Sequence, residues 1–95
     1  MPNNIFIASD HAGFALKSAL IEHIRTLGYD IIDLGPSALD PEDDYPDFVT
    51  PLAKRVASEL ESRGIIIGGS GQGEAMCANR ILGVRAAVFY GPRHV

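Results

Sequence analysis

Ile65-Ile66-Ile67-Gly68-Gly69-Ser70-Gly71-Gln72-Gly73-Glu74 changes character in its middle, where three β-branched residues run straight into four glycines within six positions. An unbroken β-branched run suits a strand covered on both faces, at the centre of a parallel sheet, because a half-exposed strand alternates apolar with polar side chains. Glycines let backbone approach a ligand closely and turn several N–H groups toward one point. A helix starting behind them adds the positive end of its dipole. The stretch therefore reads as strand, anion-holding turn and helix, with the helix from Glu74 to about Arg80 and Gly83 as its stop.

Working outward, the same alternation recurs on both sides. Before the triplet, Leu52, Val56 and Leu60 lie on one helical face, with Thr50 as a cap, Pro51 in the first turn and Gly64 as the stop. Ile31-Ile32-Asp33-Leu34 reads as a strand, after which Gly35-Pro36 opens a polar loop to about Tyr45-Pro46, long enough to suggest a functional role. Ile5-Phe6-Ile7-Ala8 is a first strand, and Phe14, Leu16, Leu20, Ile24 and Leu27 follow at mostly helical spacing up to Gly28. Beyond the triplet, Arg85-Ala86-Ala87-Val88-Phe89 supplies a fourth strand. The pattern βαβαβαβ predicts a three-layer, Rossmann-like α/β fold with a parallel sheet in the order 2-1-3-4. Strands 1 and 3 then flank the point where the connections reverse, and ligands of open α/β sheets bind beyond the carboxyl ends of such strands.

Composition sets the outer limits. Ninety-five residues, 46% hydrophobic and 21% charged, make one domain over residues 1–95 with a core of its own. A net charge of −4 with no basic face argues against nucleic acid and membrane partners. The apolar start breaks at Ser9-Asp10, too soon for a secretory signal, and no stretch is long enough to span a bilayer. The lone Cys77 fits a reducing compartment, and the cytoplasm is the expected location.

Two motifs occupy the expected crevice. Asp10 and His11 in Ser9-Asp10-His11-Ala12-Gly13 follow strand 1; alternatively Asp10 caps the next helix and His11 is a surface residue. The glycine segment holds an anion, whether a phosphate, a carboxylate or an oxygen gaining charge in a reaction. It has neither dinucleotide-fingerprint spacing nor the Gly-Lys-Ser/Thr ending of a P-loop. Glu74 beside such a turn repels an anion unless it is there to take a proton, as when a base removes hydrogen next to a carbonyl and N–H groups stabilise the enediolate. Its alternative is a first-turn glutamate favoured by the helix dipole. Tyr45 reaches the crevice from the long loop or packs half-buried, Cys77 reads as a small core residue, and His23 and Arg25 read as solvated helix positions.

Taken together, Ser-Asp-His-Ala-Gly-Phe, Asp-Tyr-Pro-Asp-Phe, Gly-Gly-Ser-Gly-Gln-Gly-Glu and Ala-Asn-Arg with Gly-Val-Arg-Ala-Ala resemble the ribose-5-phosphate isomerase type B family over nearly the whole chain. The resemblance implies interconversion of ribose 5-phosphate and ribulose 5-phosphate through an enediolate, without metal or cofactor, in a homodimer or higher homo-oligomer. It implies that Asp10 and His11 bind substrate, His11 near the phosphate and Asp10 near sugar hydroxyls, and that Tyr45 lines the site. Gly69, Ser70, Gly71, Gln72 and Gly73 match the loop cradling the reacting oxygens, and Glu74 matches the base of one branch. Other members carry a cysteine base at the position of Gly68, so here proton transfer falls to Glu74. The family chain continues past the fourth strand with a His-Asn pair that opens the sugar ring and arginines that bind phosphate. None of those motifs occurs in residues 1–95, so the resemblance implies a C-terminally shortened domain. The readings that compete with the pentose isomerase are a phosphosugar-binding or inactive remnant, an isomerase of a six-carbon sugar phosphate such as allose or galactose 6-phosphate, and a flavodoxin-like nucleotide-binding module.

Overall fold

The computed structural model describes residues 4–35, 46–59, 61–68 and 72–88. Strands β1 (Asn4–Ser9), β2 (Asp30–Asp33) and β3 (Arg63–Ile67) form one sheet in the order β2-β1-β3, and both pairings are parallel. Helices α1 (Phe14–Thr26), α2 (Pro46–Ser58) and α3 (Gln72–Asn79) alternate with the strands, and a single 3₁₀ turn (His11–Gly13) joins β1 to α1. This is the expected α/β alternation and strand order.

The period of β1 builds the three layers. Ile7 points to one face, where it packs with Ile24 and Ile31 against Leu20 and Ile21 of α1. Phe6 and Ala8 point to the other, against Leu52, Phe48 and Val56 of α2. Phe6, Ile7 and Ala8 are wholly buried, and each large apolar side chain among them contributes about 1.5–3 kcal/mol. A third cluster, Val49, Ala53 and Ala78, joins α2 to α3.

Four details differ from the sequence reading. Among the described residues Ile65-Ile66-Ile67 lies on an edge strand rather than inside the sheet, and is only half-buried. No strand forms at residues 85–88, the described part of the expected fourth strand. There the Asn79 side chain occupies both backbone groups of Ala86, accepting from its N–H at 2.8 Å and donating to its carbonyl at 3.1 Å. Those are the groups a sheet ladder needs.

Helix α2 starts at Pro46, the proline suited to a first helical position, so Thr50 is not its cap. Pro51 is interior, and Thr50 Oγ1 instead meets Cys77 Sγ at 3.5 Å. The buried stripe of α1 also runs one residue off the expected line. Leu16 and Leu27 are more than half exposed, while Lys17, with Leu20, Ile21 and Ile24, faces inward. Helix α1 does end at Gly28, whose φ of +90° is the left-handed stop glycine accommodates without strain. Among the described residues no helix is long and apolar enough to cross a membrane.

Candidate functional site

The site begins where β1 and β3 end side by side. Ser9 pairs with Ile67, and the ladder runs one step further as the Asp10 N–H donates to the Ile67 carbonyl at 3.3 Å. The chain then turns tightly. Gly13 N–H donates to both the carbonyl and Oδ1 of Asp10, each at 3.2 Å, so the aspartate does close the turn as a cap does. Gly13 lies flat on Ile67: a Cβ there would stand 2.7 Å from the Ile67 carbonyl oxygen, closer than real side chains come. Only glycine lets the turn rest on β3, and that contact presents His11, exposed, at the carboxyl end of the sheet.

On the β3 side the chain leaves the strand at Gly68 and returns as α3. Gln72 and Gly73, expected in the glycine loop, form the first turn of that helix, and Glu74 is its third residue. Glu74 is 6% exposed, a depth that a glutamate merely complementing the helix dipole does not need. Its carboxylate lies against the Cα of Gly68, in the space that a Cβ at position 68 would fill. A side chain at 68 and the carboxylate of 74 therefore exclude each other.

Asp10, Ile67, Gly68 and Glu74 form a continuous line of contact, so the motif after β1 and the motif after β3 meet at one end of the sheet. Tyr45, Gly69, Ser70 and Gly71 lie outside the described residues. Among the described residues no three His, Cys, Asp or Glu side chains are grouped to hold a metal ion. Cys77 packs beside the α2–α3 cluster, and His23 and Arg25 are exposed on α1. All three behave as expected.

A cavity of about 600 Å³ opens next to Glu74, with Gly68, Leu16, Ile66, Val84 and Ala86 among its walls. Neither Asp10 nor His11 lines it, and its walls are mostly apolar. It follows the edge of β3 that pairs with no strand among the described residues, and its mostly apolar walls suit a strand rather than a sugar phosphate.

One polar group near the site was not anticipated. Lys17 is 2% exposed, and its Nζ contacts both carboxylate oxygens of Asp33 at 2.7 and 2.9 Å. The signal lay in the spacing: Lys17 stands three, four and seven residues before Leu20, Ile21 and Ile24, on the buried stripe.

Comparison with known proteins agrees with this architecture. The family model described as Ribose/Galactose Isomerase matches residues 5–95. The chain is 46% identical over 89 residues to the probable ribose-5-phosphate isomerase B of Mycoplasma genitalium, covering 93% of this chain and 59% of the relative. It is 42% identical over 86 residues to ribose-5-phosphate isomerase B of Mycobacterium tuberculosis, covering 90% and 53%. The crystal structure of the Mycoplasma genitalium enzyme with bound ribulose 5-phosphate superposes with a TM-score of 0.84 at 46% identity, over 88% of this chain and 56% of that one. The chain thus spans little more than half the length of these relatives. With the family model matched from the first strand onward and this fold beneath it, the chain belongs to the ribose/galactose isomerase family.

Proposed function

We propose that this single domain works as an aldose–ketose isomerase interconverting D-ribose 5-phosphate and D-ribulose 5-phosphate, with Glu74 as the base. The observation that carries the reading is the Glu74 carboxylate, buried in the first turn of α3 against Gly68 at the end of β3. In the forward direction Glu74 takes the proton from C2 of the open-chain aldose and returns it to C1, while the hydroxyl proton passes from O2 to O1. The enediolate between those steps carries its charge on oxygen, where N–H groups of residues 69–73 have the right chemistry to stabilise it. Only protons move, so the reaction as written consumes no oxidant and no cofactor. Asp10 and His11 bind the sugar and its phosphate from the β1 side, and Tyr45 adds a wall. The reading carries with it a homodimer or higher homo-oligomer in the cytoplasm.

The relatives support this assignment through their names and through the ribulose 5-phosphate in the Mycoplasma genitalium structure. The family description also names galactose, which keeps a six-carbon sugar phosphate as the second reading.

The test follows exchange of the C2 proton of ribose 5-phosphate in heavy water by NMR, beside its binding measured calorimetrically. The unmodified protein should exchange it, and Glu74→Gln should keep the affinity while slowing exchange by about 10³-fold or more. Equal rates in the two proteins remove Glu74 from the mechanism. Binding without exchange in the unmodified protein selects a phosphosugar-binding domain instead, and exchange confined to allose or galactose 6-phosphate selects the six-carbon reading.

A further inference from the structure

The ion pair between the buried Lys17 of α1 and the more exposed Asp33 at the end of β2 has no part in the proton transfer. As a source of stability alone it is poorly placed, because taking an ammonium out of water costs several kcal/mol that its partner only roughly offsets. Its further contacts lead toward the site. Besides Lys17 Nζ, Asp33 Oδ1 accepts the N–H of Gly35 at 2.8 Å. The carbonyl of Gly35 in turn accepts the N–H of Ser9 at 3.1 Å, and Leu34 N–H donates to the Ile7 carbonyl at 2.8 Å. Pairing between β1 and β2 is thereby extended past Asp33, up to the residue before Asp10. Gly35 adopts a φ of +113° there, a conformation open to glycine but strained for other residues, and both of its backbone polar groups are held. The same residue starts the connection to Tyr45.

We propose that Lys17 and Asp33 are positioning residues for the phosphosugar site. The ammonium fixes the rotamer of Asp33, the carboxylate fixes Gly35, and Gly35 fixes the Ser9–Asp10 corner from which Asp10 and His11 are presented. What is positioned rests on the isomerase reading; the clasp itself rests on the bonds just described. The ring of Phe14, 5.2 Å from Lys17 Nζ, closes the other side of the ammonium and favours a cation there.

Two double variants of equal charge test the proposal. Lys17→Met with Asp33→Asn removes the ion pair but leaves a side-chain oxygen for the Gly35 N–H; Lys17→Met with Asp33→Ala removes both. Melting temperature, amide hydrogen exchange at Ser9 and Gly35, and ribose 5-phosphate affinity are compared in the two proteins. The Asn variant, which keeps an acceptor for the Gly35 N–H but loses the ammonium that fixes its rotamer, should bind about threefold more weakly than the unmodified protein, and the Ala variant about tenfold or more weakly, with faster exchange at both amides and the core still folded. If the two variants bind alike and protect Ser9 alike, the pair is only structural and the proposal is overturned. If the unmodified protein binds no ribose 5-phosphate, the functional reading fails, and the amide exchange at Ser9 and Gly35 still decides the clasp.

Discussion

The two flanks of β1 are finished in opposite ways. On the β2 side the strand end is tied by a chain of bonds: Lys17 to Asp33, Asp33 to Gly35, Gly35 to Ser9, and Asp10 back to Gly13. On the far side of β3 the backbone edge meets no strand among the described residues, and a cavity of about 600 Å³ separates it from residues 84–88. Fixed backbone corners hold side chains where chemistry needs them, whereas an open edge leaves room for another strand. Glu74 stands between the two, its carboxylate against Gly68 at the end of β3 and beside the open cavity.

The sharpest way to break the contrast is to spoil the tight side. Gly13→Ala forces a Cβ onto the Ile67 carbonyl, a backbone atom that cannot rotate away, and should lower the unfolding free energy by about 3 kcal/mol, read from the denaturant midpoint at constant slope. Gly68→Ala meets only the end of the Glu74 side chain, which can swing aside. Folding should change by less than about 1 kcal/mol while C2 proton exchange slows by about 10²-fold, separating the base's position from the fold.

On the α2 face, Gly64→Ala would put a Cβ 2.6 Å from Leu52 Cδ2 and 2.9 Å from Val56 Cγ2. Both are side-chain ends able to give, so the expected loss is about 1 kcal/mol, measured as a lowered melting temperature. The smallest effect belongs to the open side. Asn79→Ala removes the two bonds to Ala86, at an exposed position. It should cost roughly 0.5–1 kcal/mol and speed amide exchange at Ala86, with no change at Ser9.

Much of the site was legible because its signals are local. The turn Ser9-Asp10-His11-Ala12-Gly13 and the glycines ahead of Glu74 each sit directly after an apolar run, and crossover handedness then brings the first and third strand ends together. What failed to show was which residues reach inward. Leu16 looked like a core residue and is exposed; Lys17 drew no reading and is buried, where its ammonium meets a carboxylate sixteen residues away. Thr50-Pro51 imitated a helix start, while the helix had already begun at Pro46.

The order of amino acids by itself determined the alternation of strands and helices and the glycine stops, since hydrophobic period and backbone freedom are properties of neighbouring residues. Three things were decided only by the folded chain: the edge position of β3 among the described residues, the burial of Lys17, and the competition for one space between a side chain at position 68 and the carboxylate of Glu74. Each depends on which distant atoms occupy the same space, and volume is shared only once the elements are packed.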